Sequence, residues 1–320
     1  MKKLKVIYIP DVRCDPAWGE ELLAAVRHHD VTLYDPSKPL APQFSEVDVV
    51  LDHGGHATRE MMDAAKQVRL WQVHGTGIDG LDVGHLKSKR IPLANTPGPT
   101  SAVSLAESAL MMMLMLCRRY KETSANFDKG ISYLPTSGTL QDQTLGLIGF
   151  GASARALARR ARPFGMRILA TDILQFDKKI LQEHGVEFLG TPDDLDRLLA
   201  ESDYLSLHLH LNDDTRHTVD KRGLDLMKPS ACIINVARGA LIDEGALYEA
   251  LLNGRLGGAG LDVFAEEPAD PTRPVYQLPN VIALPHVAGC THLTSKNRAA
   301  VCAENLDRVA DGLEPGCRVE

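Results

Sequence analysis

The sequence predicts an α/β protein built from two doubly wound parallel sheets. Short β-branched runs alternate with amphipathic segments of helical length along most of the 320 residues, which is typical of parallel strands covered by helices on both faces. The alternation pauses near residues 95–143 and then restarts. A chain of this length is sufficient for two domains, each with its own hydrophobic core.

The first series contains four predicted strands separated by helical segments. Apolar residues recur with helical spacing at 19–28 and at 58–67, between runs that are too short and too β-branched to be helices. The predicted strands are "KVIYI" (5–9), "VTLY" (31–34), "VDVVL" (47–51) and "RLWQV" (69–73).

The pause between the two series ends in an unusually apolar segment. Residues 95–99, "NTPGP", have turn chemistry, and a helix over 104–117 follows. Because this helix is apolar nearly all round, we expect it to be buried on every side, at a junction between domains or between subunits. Its most apolar part, "ALMMMLMLC" (109–117), is about half as long as the ~20 residues that cross a bilayer, so no membrane span is predicted.

The second series has seven predicted strands, and one further helical segment follows the last of them. The strands are "TLGLIGF" (144–150), "MRILATD" (166–172), "VEFL" (186–189), "YLSLHL" (204–209), "ACIINV" (231–236), "AGLDVF" (259–264) and "VIALPH" (281–286). The helical segment at 293–312 has no sheet position left in this series, so we expect it to pack on the first domain. The predicted domains are therefore 1–99 plus 290–320, which is discontinuous, and 100–289.

Composition narrows the classes of function. The formal net charge is -7 and there is no long basic run, which argues against nucleic-acid binding. The six cysteines are scattered and the apolar stretch after Lys5 is too short for a signal peptide, so we expect free thiols and a cytoplasmic location. The histidine pairs 53/56 and 208/210 have no third ligand nearby in the sequence, so no metal site is predicted.

A glycine-rich turn opens the second series. Gly149, Gly151 and Ala154 form the pattern G-x-G-x-x-A between a strand and a helix, which is the phosphate-binding turn of dinucleotide-binding domains. Asp172 ends the next strand about 20 residues later, where a carboxylate accepts the adenosine ribose hydroxyls and repels a 2′-phosphate. Residues 173–176, "ILQF", supply no arginine to neutralise such a phosphate. The predicted cofactor is therefore NAD and not NADP.

Three further polar residues follow strands of the same predicted sheet. Arg238 follows "ACIINV", Glu267 follows "AGLDVF", and His286 ends "VIALPH", so all three belong to the carboxyl edge where parallel sheets bind ligands. Arginine binds a carboxylate with two parallel hydrogen bonds, and a histidine beside a carboxylate is a proton donor held in its charged form. Both groups are needed to exchange hydride between nicotinamide and the C2 carbon of a 2-hydroxy acid.

With these segments in place, the chain resembles the D-isomer-specific 2-hydroxyacid dehydrogenase family along nearly its whole length. The matching segments are "VHGTGIDGLD" (73–82), "NTPG" (95–98), "LGLIGFG" (145–151), "INVARGALIDE" (234–244), "GLDVFAEEP" (260–268) and "LPHVAG" (284–289). The resemblance implies a Rossmann NAD domain inserted into a flavodoxin-like substrate domain, with the active site in the cleft between them. It also implies a homodimer.

The resemblance assigns roles to individual residues as well. It implies that Arg238 orients the substrate, that His286 is the general acid/base and that Glu267 is its partner. It further implies contacts with the cofactor from Thr76, Val236, Ala237, Asp262 and Gly289, beside those of the glycine turn.

Two departures from the family pattern concern the cofactor site. The family usually has Arg-Ile inside the glycine turn, with the arginine near the pyrophosphate, and this chain has Ala152 and Ser153 there. Ser153 can still donate a hydrogen bond, and Arg155 lies one residue beyond the turn. The family's H-x-P after the fourth strand of the NAD domain is replaced by "HLH" (208–210). This replacement leaves open the shape of the wall of the cofactor site formed there.

The substrate is expected to be small and unphosphorylated. Two loops of the first domain, 52–58 and 74–79, contain Gly54, Gly55, Gly75 and Gly77, whose N–H groups we expect to bind the substrate carboxylate. A substrate phosphate would need further positive charges, whereas the first loop offers only His53 and His56, with Arg59 already in the next helix.

The leading interpretation is thus an NAD-dependent 2-ketoacid reductase. Within the family, phosphoglycerate dehydrogenase is the main alternative. Formate dehydrogenase fits less well because it pairs its histidine with glutamine. An alternative of another class is an NAD(H)-sensing binding protein, as in the C-terminal-binding-protein corepressors of the same family.

Overall fold

The computed structural model describes residues 2–319 and contains two compact units. The first extends to Thr100 and includes the residues from Thr291 onward, and the second is Ser101–Cys290. Each unit contains a single parallel sheet with helices on both faces. The predicted fold class is therefore confirmed.

The first unit has a five-stranded sheet with the strand order β2-β1-β3-β4-β5. Its elements are β1 (Lys5–Ile9), α1 (Pro16–Ala25), β2 (Asp30–Leu33), α2 (Leu40–Phe44), β3 (Val49–Asp52), α3 (Arg59–Ala64), β4 (Leu70–Val73), α4 (Val83–Ser88), β5 (Leu93–Ala94) and, from the end of the chain, α13 (His292–Ala310). The sequence predicted four of these strands. It missed β5 because two apolar residues do not form a recognisable strand pattern.

Alternating side chains of β1 show how the two faces of this sheet are covered. Val6 and Tyr8 join one core cluster, whereas Ile7 lies in the other, as expected for the period of two in a strand. Helix α13 supplies Cys302 and Leu306 to the cluster of Val6. This helix therefore packs in the core of the first unit, beside α1.

Helix α1 begins three residues before its predicted start at 19. Asp15 is its N-cap and accepts a hydrogen bond from the N–H of Ala17, and Pro16 occupies the first helical position. Both residues are favoured there, since a side-chain oxygen satisfies a free N–H group and proline lacks one. The apolar periodicity alone did not show this capped first turn.

The second unit has a seven-stranded sheet with the order β12-β11-β10-β9-β6-β7-β8. All seven strands were predicted from the sequence. The strands are β6 (Thr144–Ile148), β7 (Arg167–Thr171), β8 (Val186–Gly190), β9 (Tyr204–Leu207), β10 (Cys232–Asn235), β11 (Gly258–Leu261) and β12 (Val281–Ala283). The strand order reverses between β6 and β9, which is where open parallel sheets bind ligands.

Eight helices complete this unit. They are α5 (Ala102–Cys117), α6 (Tyr120–Asp128), α7 (Ala152–Ala161), α8 (Lys178–His184), α9 (Leu195–Glu201), α10 (Lys221–Leu226), α11 (Glu244–Leu252) and α12 (Pro274–Gln277). In the described part of the chain, none of the helices is long and apolar enough to cross a membrane.

Helix α5 is buried on the face that packs within its own unit. Met112 and Met113 are fully buried, where the helix packs on α7 and on strands β10 and β11. Met111 is 43% exposed within one chain. The expected burial of the remaining face at a junction between subunits stays a prediction.

Candidate active site

The glycine turn between β6 and α7 has the geometry of a phosphate cradle. Gly149 has φ +85°, and a Cβ atom there would lie 2.8 Å from the carbonyl oxygen of His208, so only glycine fits. A Cβ atom on Gly151 would meet nothing within 4 Å. Gly151 is also the N-cap of α7, and no side chain caps the first turn. Open space beside uncapped N–H groups at a helix N-terminus fits the pyrophosphate of a dinucleotide.

Asp172 is held directly beside this turn. Its Oδ2 accepts a hydrogen bond from the N–H of Phe150 at 2.6 Å, and its Oδ1 accepts one from Leu174 at 2.8 Å. The carboxylate is thus fixed at the end of β7, next to an 82% exposed Ile173. Ala154 is fully buried on the inner side of α7. The position of the carboxylate suits the ribose hydroxyls of an adenosine.

Ser153, which departs from the family pattern, contacts His208, the histidine that the chain shares with the family's H-x-P, whereas His210 replaces the proline. Ser153 Oγ lies 2.9 Å from Nδ1 of His208, and Ser206 Oγ lies 3.0 Å from Nε2 of the same ring. Burial lowers the pKa of His208 to about 3, so this imidazole is neutral at physiological pH. The retained histidine of the pattern is therefore flanked by two serines.

Arg238 lies on a loop that its neighbours hold in place. The side chain of Asn235, buried at the end of β10, donates from Nδ2 to the carbonyl of Arg238 at 2.8 Å and accepts at Oδ1 from the N–H of Ala237 at 3.1 Å. Val236 and Ala237 are buried. The Arg238 guanidinium donates to the carbonyl of Ala237 at 2.7 Å.

Glu267 and His286 form a hydrogen-bonded pair. Glu267 Oε2 lies 2.7 Å from Nδ1 of His286, and Oε1 accepts from the N–H of Phe264 at 3.1 Å. A Cβ atom on Gly239 would lie 1.8 Å from the carbonyl carbon of Phe264, so the loop after Arg238 packs directly on the loop that leads to Glu267. This arrangement leaves Nε2 of His286 to reach a substrate oxygen.

The electrostatics keep Glu267 ionised. Burial by itself raises the pKa of this carboxyl. The hydrogen bond and charge of His286, the N–H of Phe264 and the charge of Arg238 outweigh that effect, so the net pKa is lowered. Glu267 therefore carries its negative charge beside the imidazole throughout the neutral pH range.

Asp262 fixes the turn that carries His286. Its two carboxylate oxygens accept the N–H groups of Val287 at 2.8 Å and Ala288 at 2.9 Å, and its carbonyl accepts that of His286 at 2.8 Å. Burial raises the pKa of Asp262 despite the opposing hydrogen bonds from Ala288 and Val287. His286 has φ +56°, a left-handed conformation that such a network can hold at a functional site. Gly289 follows in the same turn.

The predicted substrate loops of the first unit follow β3 and β4. Among the residues that the structure describes, the N–H groups of Gly54, Gly75 and Gly77 have no hydrogen-bond acceptor. The expectation was wrong for Gly55, whose N–H donates to Asp52 Oδ1 at 2.8 Å, because that carboxylate turns back under the loop.

Thr76 also lies after β4, and neighbouring residues anchor it. Its carbonyl accepts a hydrogen bond from Asn95 Nδ2 at 2.6 Å, and its hydroxyl lies 3.5 Å from an Arg298 nitrogen.

The first loop itself carries little positive charge, although the Arg298 guanidinium of α13 is close enough to lower the pKa of His53. His53 is buried, its Nδ1 lies 2.7 Å from the hydroxyl of Tyr8, and burial lowers its pKa to about 4. His56 is exposed and contacts Arg13. Arg13 and Arg59 pair with carboxylates, those of Asp11 and Asp82 respectively. The arginines are therefore compensated, and His53 is neutral.

One group of possible metal ligands occurs elsewhere in the first unit. His28, His29 and Asp307 bring their ligand atoms within 4.8 Å of one another. The sequence showed no such set because Asp307 is far from the histidines along the chain. His28 Nε2 lies 2.7 Å from Asp307 Oδ1, and His29 Nε2 lies 3.2 Å from it, so polar contacts between these side chains account for the arrangement.

Two residues that position the predicted site residues, Asn235 and Ser206, were not predicted from the sequence. Asn235 was overlooked, although an amide at the end of the apolar strand "CIIN" is a signal, since a buried polar group needs hydrogen-bond partners. Ser206 gave no signal, because its partner His208 becomes apparent only in the folded sheet.

Comparison with known proteins agrees with this geometry. The family model for "D-isomer specific 2-hydroxyacid dehydrogenase, NAD binding domain" matches residues 110–288. The glyoxylate reductase of Korarchaeum cryptofilum is 36% identical over 256 residues, 77% of this chain and 74% of that protein. The D-3-phosphoglycerate dehydrogenase of Methanocaldococcus jannaschii is 34% identical over 295 residues, 91% of this chain but 55% of that protein.

A solved structure matches the whole chain. The crystal structure of a glyoxylate reductase from Paecilomyes thermophila superposes with a TM-score of 0.84 at 28% identity, covering 100% of this chain and 99% of the other.

Proposed function

The chain belongs to the D-isomer-specific 2-hydroxyacid dehydrogenase family of NAD-dependent oxidoreductases that act on CH–OH groups, and we propose that it reduces small, unphosphorylated 2-keto acids. The observation that carries this proposal is the hydrogen-bonded pair of His286 and Glu267 at 2.7 Å, at the sheet edge that also holds Arg238. A proton donor with a fixed ring and a nearby guanidinium meets both needs of a 2-keto acid.

Each of the three side chains has one task in the proposed reaction. Arg238 binds the substrate carboxylate with its guanidinium and so orients the keto group. His286 gives the proton on Nε2 to the carbonyl oxygen as that oxygen becomes a hydroxyl. Glu267 holds Nδ1 and stabilises the imidazolium before the transfer. Bound NADH supplies the hydride that reduces the carbonyl carbon.

The remaining cofactor contacts belong to the same proposal. The N–H groups at the start of α7 and the Ser153 hydroxyl would hold the pyrophosphate, and Asp172 the ribose. Contacts from Thr76, Val236, Ala237 and Gly289 stay predictions. For Asp262, the structure favours a positioning role, since both carboxylate oxygens already accept backbone N–H groups.

The charge around the first loop supports a small substrate without a phosphate. In that loop His53 is neutral, and Arg59 is paired with Asp82. A phosphate carries close to two negative charges at pH 7, and compensated arginines bind it weakly. We propose that Gly54, Gly75 and Gly77 donate N–H groups to the substrate instead.

Steady-state kinetics decide between the candidate substrates. We expect glyoxylate or hydroxypyruvate to be reduced with higher kcat/KM than 3-phosphohydroxypyruvate at fixed NADH. A clear preference for the phosphorylated ketoacid would favour phosphoglycerate dehydrogenase. Tight NADH binding without turnover of any 2-ketoacid would instead favour an NAD(H) sensor.

We also propose a homodimer formed through the second unit. Phe127 is 84% exposed, Tyr133 is 101% exposed and Met111 on α5 is 43% exposed. Large exposed apolar side chains of this kind mark interaction sites, and a second copy of the chain is the partner that the family implies. Light scattering should give a dimer mass, and the double variant Phe127→Asp/Tyr133→Ser should shift it toward the monomer.

A location in the reducing cytoplasm is part of the proposal. No disulfide forms among the six cysteines, which all lie in the described residues, and Cys290 and Cys317 are exposed. Exposed free thiols persist where glutathione keeps cysteines reduced. Fractionation of the native cells, followed by immunodetection, would test this.

A further inference from the structure

We propose that Ser206 and His208 are positioning residues that orient the Ser153 hydroxyl, so that its hydrogen points toward the pyrophosphate of the bound dinucleotide. The proposal rests on the proposed function at one point, the contact between Ser153 and the pyrophosphate. It adds a role for Ser206 and for the ring of His208 that was not predicted from the sequence.

The three side chains form one continuous hydrogen-bonded row. Ser206 lies on β9, His208 directly follows that strand, and Ser153 lies in the first turn of α7. The ring of His208 bridges the two hydroxyls, with 2.9 Å from Nδ1 to Ser153 and 3.0 Å from Nε2 to Ser206. The row therefore runs from the interior of the sheet to the glycine turn.

The buried end of the row fixes the direction of the hydrogens. Ser206 is 0% exposed, and in the described part of the chain its hydroxyl has no hydrogen-bond partner other than His208. If it accepted a hydrogen from Nε2, its own O–H would be buried without an acceptor. An unpaired buried donor costs about 1–3 kcal/mol. Ser206 therefore donates to Nε2.

The ring of His208 transmits this direction. Burial lowers its pKa to about 3, so the ring is neutral and carries a hydrogen on one nitrogen only. Because Nε2 accepts from Ser206, the hydrogen lies on Nδ1. Nδ1 then donates to the oxygen of Ser153.

Ser153 at the outer end is left with a hydrogen to give. Its oxygen accepts from Nδ1, so its O–H points away from His208. The residue is only partly buried and lies where no side chain caps α7. An oriented O–H there complements the pyrophosphate, in a turn that lacks the arginine usual in the family. A reversed row would instead present oxygen lone pairs to a negatively charged group.

The tautomer of His208 gives the most direct test. Nitrogen-15 NMR of the imidazole distinguishes a protonated ring nitrogen from an unprotonated one in the protein without cofactor. We expect a protonated Nδ1 and an unprotonated Nε2, and the opposite pattern would overturn the proposal. This readout does not depend on activity.

Binding of ADP-ribose tests whether His208 acts through Ser153. We expect Ser153→Ala to weaken ADP-ribose binding about tenfold, the effect of ~1.4 kcal/mol, and to leave adenosine binding unchanged. His208→Asn, whose shorter side chain cannot span both serines, should weaken ADP-ribose binding at least about threefold. In the Ser153→Ala background it should have no further effect.

Other outcomes contradict the proposal in distinguishable ways. Equal weakening by His208→Asn in both backgrounds would show that His208 acts by another route. An unchanged affinity in Ser153→Ala would remove the contact with the pyrophosphate, while turnover of 2-ketoacids by the same variant would leave the dehydrogenase function standing. His208→Gln serves the same comparison if the asparagine variant does not fold, and His292→Asn, an exposed histidine of the first unit, is the control substitution.

Discussion

The carboxylate of Glu267 is both a hydrogen-bond acceptor and a negative charge, and a neutral amide would be only the first. It accepts a hydrogen bond from Nδ1 of His286, and it brings a full negative charge beside that ring. Glutamine retains the first property and lacks the second. The substitution Glu267→Gln therefore tests the contribution of the charge alone.

We expect Glu267→Gln to lower kcat for 2-ketoacid reduction by about 10- to 100-fold. On the acid side, the lowered pKa of Glu267 should keep the wild-type carboxylate ionised below pH ~4.5. Profiles of kcat against pH for the two enzymes check these expectations. Glu266→Gln is the matched control, and an unchanged profile in Glu267→Gln would remove this carboxylate from the mechanism.

A second prediction at this scale concerns Asp172. Since the carboxylate is fixed by the N–H groups of Phe150 and Leu174, a 2′-phosphate would meet an immobile negative charge. We expect NADH to be preferred over NADPH by at least ~10-fold in kcat/KM, the effect of about 1.4 kcal/mol. Asp172→Ser should narrow the ratio. Comparable wild-type efficiencies with the two cofactors would contradict the role of Asp172.

The candidate residues could be predicted because each directly follows a recognisable strand. Arg238 and His286 needed only the rule that ligands bind at the carboxyl ends of parallel strands. The engagement of the Gly55 N–H by Asp52 and of Asp262 by the turn at 287–288 could not be predicted. Such contacts depend on loop conformations that no spacing in the sequence encodes.

Among the elements, the turn between β6 and α7 contains two glycines with different roles. Gly149 is needed for the fold, and Gly151 leaves space for a ligand. We expect Gly149→Ala to destabilise the protein by several kcal/mol, because φ is +85° and the added Cβ would lie 2.8 Å from a backbone oxygen. Gly151→Ala should change the free energy of unfolding by less than ~1 kcal/mol, since its Cβ meets nothing within 4 Å.

The same pair of variants should behave oppositely in binding. A methyl group on Gly151 occupies the space for the pyrophosphate, so NADH affinity should fall at least tenfold, or ~1.4 kcal/mol, in a protein that is otherwise intact. Urea unfolding and NADH fluorescence titration measure the two effects. Wild-type NADH affinity in Gly151→Ala would mean that the cradle is not used.

Helices and strands could be predicted where the apolar pattern extended over enough residues. All seven strands of the second unit were recognised, whereas β5, Leu93–Ala94, was too short. Helix α5 was predicted, but an apolar sequence does not show which face packs within the chain. Met111, 43% exposed, lies on a face that the single chain does not cover.

For the molecule as a whole, buried histidines should make stability depend on pH. Burial, opposed by Asp11 and reinforced by Arg298, lowers the pKa of His53 to about 4, and burial lowers that of His74 well below its usual value. The unfolded chain titrates near pH 6.5 and so binds more protons below that pH. The contribution is fully present above pH 6.5 and is lost as pH falls toward 4.

We therefore expect the free energy of unfolding by urea to decrease by roughly 3 kcal/mol for His53 alone between pH 6.5 and 4. His53→Gln should make this dependence shallower by up to one proton. His56→Gln, at an exposed position of the same loop, is the control and should leave the slope unchanged. An identical slope in wild type and His53→Gln would mean that His53 does not titrate as described.

Helix α13 has a consequence for how the protein is made. It contributes Ala299, Cys302, Leu306 and Val309 to the core that also contains Leu4 and Leu22, yet the ribosome synthesises it only after residues 101–290. The first hundred residues of a nascent chain therefore expose an apolar surface until α13 leaves the exit tunnel. During translation, ribosome-associated chaperones should bind these first hundred residues, and their release should coincide with the emergence of α13.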